Sequence, residues 1–164
     1  MRSRIAVAGA DFGFNLVCSG YMVEDEKVLL VHHNRFDKWV PPGGHIEAGE
    51  TFAEAAEREF QEETGIYVDV VGAGSEIHPA DSNACALPLP FYTDLELEGF
   101  AVPTIVQFYY VRRRAERRDE VVPQISEVHA ARFFSISELS ELQTFDQVRS
   151  VATYALRHHP DATR

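Results

Sequence analysis

Three glutamates near the middle of the chain have the residue type and the spacing that bind a divalent metal ion. They continue a stripe of residues three or four apart that would share one face of a helix. The stripe consists of Phe52, Ala55, Ala56, Glu59 and Glu63, with Glu62 beside it. Its second half carries carboxylates where an apolar core residue is expected, and a cation would relieve their mutual repulsion. Oxygen ligands without His or Cys select a hard ion, Mg²⁺ or alternatively Mn²⁺, which proteins usually bind together with substrate phosphates.

A simpler interpretation makes the same glutamates the solvated face of an exposed helix, since glutamate is common on helix surfaces. The surrounding residues favour a site. Gly44 allows a loop backbone to approach closely, Arg58 can neutralise and orient the carboxylates, and Gly65 can end the helix and turn the chain into a strand. Residues 44–66 therefore form a loop, a helix and a tight stop suited to metal-assisted phosphate chemistry.

The same segment resembles a known family motif. Gly44 is followed after five residues by Glu50, and after seven more by Arg58-Glu59, Glu62-Glu63 and Gly65-Ile66. This pattern resembles the Nudix box of the Nudix hydrolases at every defining position, with a bulky apolar Phe60 where the family more often has an aliphatic residue. The resemblance implies an α/β/α sandwich with a mixed β-sheet and a catalytic loop–helix–loop.

The resemblance also implies roles for the residues of the box. Glu59, Glu62 and Glu63 match the metal-binding and base positions, and Glu50 and Arg58 match the supporting pair. All five are therefore candidate catalytic residues.

Two further residues are candidate metal contacts by the same resemblance. The carbonyl of Gly44 is one, and Glu127, in a polar turn before the last predicted strand, is the other. Glu59 and Glu127 are both candidates for the general base, and the alternative for Glu127 is a solvated loop acid.

The activity implied by the resemblance is hydrolysis of a nucleoside diphosphate linked to another moiety X, with water attacking a phosphorus of the pyrophosphate. Nucleoside triphosphates, including oxidised ones, are the expected substrates because the chain is short. ADP-ribose, nucleotide sugars, dinucleoside polyphosphates and capped or triphosphorylated RNA stay open as alternatives. A Nudix domain that senses a nucleotide without cleaving it is the non-enzymatic alternative, and the complete set of box carboxylates argues against it.

Four side chains outside the box are candidates for substrate binding. Arg35 and Lys38 belong to a local basic cluster that can contact phosphates, and Trp39 and Tyr92 flank loops and can stack on a base. The alternatives are a surface position for each basic residue and a core position for each aromatic one.

Periodicity and turn residues predict an α+β (mixed α/β) fold. The predicted strands are Asn15–Val23 and Lys27–His33, which form a hairpin, and Ile66–Val71, Thr104–Val111 and Val128–Ser135. The predicted helices are Thr51–Thr64, a short one from an N-cap at Ser137 through Leu142, and Phe145–His158. Residues 72–103 form a long loop with a short strand near Phe91–Leu97, and we expect this loop to help form the substrate pocket.

Charge and length limit the classes of function. The chain of 164 residues fits a single domain, residues 1–164. Its net charge of −11, from 26 acidic and 15 basic residues, argues against nucleic acid as a partner. The basic run Arg112–Arg118 is interpreted as a solvated hairpin tip, with a phosphorylated or RNA partner as the alternative.

Localisation is predicted from what the sequence contains. No apolar run approaches the length of a membrane span, and Met1–Val23 is interrupted by polar residues, unlike a signal peptide. Two cysteines, Cys18 and Cys85, cannot form a disulfide framework. We therefore expect a cytoplasmic protein without membrane contact that acts on a small nucleotide, and a homodimer stays open.

Overall fold

The computed structural model describes residues 13–72, 77–116 and 119–162, and within them it has the predicted mixed α+β architecture. The strands are β1 (Asn15–Tyr21), β2 (Val23–Glu24), β3 (Lys27–His33), β4 (Lys38–Val40), β5 (Gly43–His45), β6 (Val68–Val71), β7 (Tyr92–Glu96), β8 (Thr104–Arg113) and β9 (Val128–Phe134). The helices are α1 (Phe52–Thr64), α2 (Ile136–Glu141) and α3 (Asp146–His158).

The strands form two sheets, one mixed and one antiparallel. In the first sheet the order is β5-β1-β8-β6; β1 and β8 are parallel, and β5 and β6 are antiparallel to their neighbours. Strand β7 pairs with β8 on the same edge as β6. In the second sheet β3 is central, with β2 and β4 along one edge and β9 along the other.

Two apolar clusters lie on opposite sides of the strands. One joins Val17, Val106 and Phe108 to the apolar faces of α2 and α3. The other joins Cys18 and Val111 to the buried alanines and Phe60 of α1. The helices therefore cover the strands from both sides, which is the layered arrangement that the resemblance implies.

Helix α1 has well-defined ends. The Thr51 hydroxyl accepts from the Glu54 N–H, and the Glu54 carboxylate accepts from the Thr51 N–H at 2.8 Å, a capping box. Gly65 ends the helix with a φ of 74°, a left-handed conformation that favours glycine, and its N–H donates to the Gln61 carbonyl. The sequence prediction for this helix is confirmed.

Two local predictions are wrong. The predicted strand Asn15–Val23 is broken at Met22: β1 belongs to the first sheet, and only β2 forms the predicted hairpin with β3. The N-cap of α2 is Ser135 rather than Ser137, because Ser135 has the extended backbone and forms a capping box with Glu138. Ser137 lies in the first turn of the helix instead.

Parts of the arginine run are fixed by ion pairs. Arg112 pairs with Asp161, Arg113 with Glu24, and Arg114 with Glu57 and Asp69. The described residues do not include Arg117 or Arg118. They also do not include the first twelve residues, on which the signal-peptide prediction depends. Within the described part of the chain, no helix combines the length and the apolar character needed to cross a membrane.

Candidate active site

Helix α1 places Glu59 and Glu63 one turn apart, facing strand β5 and its two glycines, Gly43 and Gly44. Glu63 is 1% exposed, and its Oε2 accepts a hydrogen bond from the Gly43 N–H at 3.2 Å. The imidazole Nε2 of His33 lies 4.0 Å from Glu63 Oε1. A carboxylate this deeply buried needs a polar or cationic partner, so its place at the end of a helix stripe marks a site rather than a core position.

Glu127 joins this pair from the other sheet. It lies in the turn before β9. Two backbone hydrogen bonds fix this turn: the Asn34 N–H donates to the Glu127 carbonyl at 2.9 Å, and the Glu127 N–H donates to the Gln124 carbonyl at 3.0 Å. One carboxylate oxygen each from Glu59, Glu63 and Glu127 lies within 4.8 Å of the other two. The turn and the helix, far apart in sequence, thus converge on one point.

The electrostatics of these three acids fit a cation. Burial, together with the negative charge of Glu59, raises the pKa of Glu63 to about 8. Burial also raises the pKa of Glu59, despite its hydrogen bond from Arg58. Three adjacent carboxylates, two of them desolvated, are the donor set of a hard divalent ion, which would remove both the burial cost and the repulsion.

Arg58 connects the supporting residues of the box. Its Nε donates to Glu50 Oε1 at 2.7 Å and its Nη2 donates to Glu50 Oε2 at 3.1 Å, a bidentate pair. Its Nη1 donates to Glu59 at 2.9 Å and to Glu62 at 3.1 Å, and its Nη2 also donates to the His45 carbonyl. The Arg58 guanidinium holds the pKa of Glu50 below its usual range. Arg58 thereby fixes one oxygen of Glu59 and leaves the rest of that carboxylate for other contacts.

Glu62 lies outside the trio of carboxylates. Its side chain is 44% exposed and its Oε2 accepts from Arg58, so it sits at the rim of the site. The metal role that the Nudix resemblance implies for Glu62 stays a prediction.

Gly44 is packed directly against Glu59. A Cβ atom at Gly44 would lie 2.7 Å from Glu59 Oε2 and still closer to the rest of the carboxyl group. The Gly44 carbonyl accepts from the Cys18 thiol at 3.5 Å, and burial raises the pKa of that thiol to about 12, which keeps it protonated. The absence of a side chain at Gly44 is therefore a condition for the position of Glu59.

A cleft of about 830 Å³ opens beside the three acids. Its walls include Glu59, Glu63 and Glu127 together with apolar residues of the first sheet, and aromatic side chains that reach in from loops, among them Phe145 directly before α3. Residues 94–100 also line it, so the predicted contribution of the 72–103 segment to the pocket is confirmed for that part. The acids, the apolar floor and the aromatic walls together suit a ligand with both a phosphate chain and a flat ring.

The four predicted substrate-binding residues lie in different surroundings. Arg35 lines the cleft, with its guanidinium over the Phe36 ring at 5.4 Å. Lys38 is at the rim, its Nζ 5.4 Å from the centre of the Phe145 ring, and Tyr92 stacks at 5.5 Å on Phe108. The Lys38 and Tyr92 side chains do not themselves line the cleft.

The prediction for Trp39 needs a correction. Its ring packs edge-on against Phe134 at 4.7 Å and against His32 at 5.2 Å, on the outside of an apolar core cluster. Trp39 pairs with His32 of β3, and its side chain is partly buried. Trp39 therefore packs against the core and does not line the cleft.

The sequence analysis missed several polar residues of the cleft, three of which matter below. Asp94 and Glu96 of β7 and Gln147 of α3 all line it. The sequence signal that could have found the two acids is the alternation in Tyr92–Glu96. In a strand, Asp94 and Glu96 point to the same face of the sheet.

The family follows from a comparison with known proteins. A family profile described as the NUDIX domain matches residues 16–155, from β1 into α3, and this range contains every residue of the site described above. The chain belongs to the Nudix family. The fold class and the resemblance predicted from the Nudix box are thereby confirmed, and Nudix hydrolases generally use divalent metal ions.

Individual Nudix proteins are similar to this chain to different extents. A hydrolase of the NUDIX family from Clostridium perfringens is 28% identical, with a TM-score of 0.72 over 87% of this chain and 96% of that one. The asymmetrical bis(5'-nucleosyl)-tetraphosphatase of Sus scrofa is 29% identical over 128 residues, which are 77% of this chain and 75% of that protein. The Nudix hydrolase YvcI of Bacillus subtilis is 50% identical over 44 residues, which are 27% of this chain and 28% of that protein's length.

Proposed function

We propose that this Nudix protein is a divalent-metal-dependent pyrophosphohydrolase that cleaves the diphosphate of a nucleoside diphosphate linked to another moiety, most simply a nucleoside triphosphate. The observation that carries the proposal is the convergence of Glu59, Glu63 and Glu127 at the wall of a large cleft. The pig and Clostridium relatives support a hydrolase, and the cleft supports a ligand of nucleotide size.

Glu59, Glu63 and Glu127 would hold the metal ion, and we take it to be Mg²⁺, with Mn²⁺ as the alternative. When bound, such an ion neutralises phosphate oxygens and lowers the pKa of a coordinated water. Glu62 and the Gly44 carbonyl are further proposed contacts of the metal. The identity of the ion follows from the all-oxygen donor set.

Other side chains of the site are proposed to orient Glu59 and to bind the substrate. Arg58, paired with Glu50, orients Glu59, and Arg35 lies in the cleft where it can bind a phosphate. Lys38 at the rim is a second proposed phosphate contact, and Tyr92 is proposed to support the ring-binding wall through Phe108.

A carboxylate must take the proton of the attacking water. Glu59 already accepts from Arg58, whereas the Glu127 carboxylate accepts no hydrogen bond from any residue in the described ranges. We therefore propose Glu127 as the general base, with Glu59 as the alternative.

The protein is further proposed to be a single domain, residues 1–164, that works in the cytoplasm on a small nucleotide substrate. The free thiols of Cys18 and Cys85 are compatible with a reducing compartment. Whether the chain forms a homodimer is decided by its mass in solution.

Release of inorganic phosphate or pyrophosphate tests the activity. The substrates are nucleoside triphosphates, ADP-ribose, a nucleotide sugar and a dinucleoside tetraphosphate, each with and without Mg²⁺. We expect metal-dependent turnover that falls at least about 100-fold in Glu59→Gln and Glu63→Gln. Glu141→Gln, an exposed acid away from the cleft, is the charge-matched control and should keep full activity.

The second candidate is a nucleotide sensor without hydrolysis. It would be favoured if the folded wild type binds nucleotides but turns over none of the panel. The acids of the cleft argue against it, because an ion site costs burial energy that binding alone does not require.

A further inference from the structure

Two acids of strand β7 face the cleft at a distance from the metal-binding trio. In the β7–β8 pairing Asp94 is opposite Val106 and Glu96 is opposite Thr104, and residues directly opposite each other point to the same face. Val106 lines the cleft, and Asp94 and Glu96 line it as well. Their placement is therefore a consequence of the strand register.

The two acids have different surroundings. Gln147 of α3 donates through Nε2 to Asp94 Oδ2 at 2.7 Å, which fixes the Asp94 side chain. Glu96 is half-buried, and among the described residues nothing donates a hydrogen bond to it or forms an ion pair with it. Burial and the neighbouring Asp94 raise the pKa of Glu96 to about 7. A hydrogen-bond acceptor without a donor is thus held in the wall of the cleft.

Aromatic rings stand in the same cleft. The Phe36 ring centre is 6.3 Å from that of Phe100 and 5.8 Å from that of Phe145, and Phe108 also lines the cleft. A flat heteroaromatic ring is the ligand group that such an aromatic surface favours.

The position of β7 in the sheet also fits one end of a nucleotide. Strands β1 and β8 separate β7 from β5, which carries Gly43 and Gly44 next to the metal-binding trio. Three interstrand spacings amount to about 14 Å, enough for a sugar between a diphosphate at one end and a base at the other. The negative charge of Asp94 and Glu96 would repel a phosphate chain and so favours this orientation.

We propose that Glu96, with Asp94 beside it, binds the donor edge of a guanine-type base. Ionised carboxylates only accept hydrogen bonds, and guanine presents two adjacent donors, N1–H and the 2-amino group. Adenine presents the acceptor N1 at the corresponding position, which a carboxylate would repel. Gln147 acts as a positioning residue through Asp94. This inference rests on the proposed function, because it names the base of the nucleotide that the site would hydrolyse.

Steady-state hydrolysis of GTP, ITP and ATP at pH 8.5, where Glu96 with its pKa of about 7 is ionised, tests the inference, because ITP lacks only the 2-amino group of GTP. The variant is Glu96→Gln, which replaces one acceptor oxygen with a donor at nearly constant volume. The control is Glu120→Gln, which removes the same charge from an exposed position outside the cleft. We expect the wild type and the control to prefer GTP by about tenfold or more in kcat/KM over both ITP and ATP.

In Glu96→Gln we expect kcat/KM for GTP to fall about tenfold while that for ATP changes less than twofold. Equal effects on all three nucleotides, or a wild type that prefers ATP, would overturn the assignment of the base. Binding of guanosine and adenosine without metal, measured by calorimetry, distinguishes the two proposals. If no nucleotide is hydrolysed, the proposed function fails, and tighter binding of guanosine that is lost in Glu96→Gln would still support the base site.

Discussion

At the scale of single residues, the box glutamates are not equivalent. Glu63 is almost fully buried beside the Gly43 N–H, whereas Glu62 is 44% exposed and held by Arg58 at the rim. Because Glu63 is buried and converges with Glu59 and Glu127, no exposed carboxylate of the described residues, such as that of Glu62, is in position to replace it as a metal ligand. The structure therefore ranks the two adjacent glutamates, which the sequence alone cannot do.

We expect Glu62→Gln to keep a kcat about tenfold or more above that of Glu63→Gln, because only Glu63 belongs to the convergent trio. Both substitutions remove one charge from the same turn of α1, so each controls for the other. Turnover with saturating Mg²⁺ measures the difference. An equal loss in both variants would mean that Glu62 turns into the site when the ion binds.

Gly44→Ala tests the close approach of β5 to Glu59. The added Cβ would overlap the Glu59 carboxyl group, so that carboxylate must move. Displacement of a catalytic group by about 1 Å costs on the order of 100-fold in rate, and we expect a loss of about 10- to 100-fold in kcat/KM.

Gly72→Ala is the matched control for this substitution, since a Cβ there meets only the Leu89 carbonyl at an ordinary contact distance of 3.4 Å. It should leave activity unchanged. Full activity in Gly44→Ala would show that the Glu59 position in the structure is not the one used in the reaction.

The sequence identifies box residues more readily than pocket residues. Glu50, Arg58, Glu59 and Glu63 lie within one loop and helix, so fixed spacing alone brings them together. Glu96, by contrast, reaches the cleft through its pairing with β8, and this register is a long-range property that local patterns do not specify.

At the scale of elements, helix ends show how far local patterns can be trusted. The capping box Thr51–Glu54 and the stop at Gly65 fix α1 as the sequence predicts. For α2, Ser135 is followed three residues later by Glu138, which is the capping-box pattern, whereas Ser137 is followed by Ser140; the prediction of Ser137 overlooked this local signal. The break at Met22, by contrast, is set by which sheet each half of the segment joins.

Ser135→Ala should lower the free energy of unfolding by about 1 kcal/mol, because it removes the acceptor for the Glu138 N–H at the start of α2. Ser137→Ala, in the first turn, should change it by less than about 0.5 kcal/mol. Urea denaturation of the two variants and the wild type gives both values. The opposite ranking would place the N-cap at Ser137, as the sequence analysis predicts.

At the scale of the whole molecule, the site draws its acids from elements of both sheets, which also share the apolar clusters. Glu59 and Glu63 belong to α1, which packs on the first sheet, whereas Glu127 precedes β9 of the second sheet. The local resemblance in residues 44–66 predicts the first two acids and a candidate in Glu127. That the turn before β9 reaches α1 depends on the packing of the two sheets, which no local pattern contains.

A metal ion held by these three acids would therefore stabilise the fold as a whole. We expect Mg²⁺ at about 100 times its Kd to stabilise the protein by about 2.7 kcal/mol, a rise in Tm of about 5 to 10 °C for a chain of this size. Thermal unfolding followed by circular dichroism at pH 7.5 measures this shift. Glu127→Gln should reduce it as much as Glu59→Gln does, although the two residues lie on different sheets. A shift that is lost in Glu59→Gln and kept in Glu127→Gln would instead confine the ion to α1, and Glu127 would then act only on the proton of the attacking water.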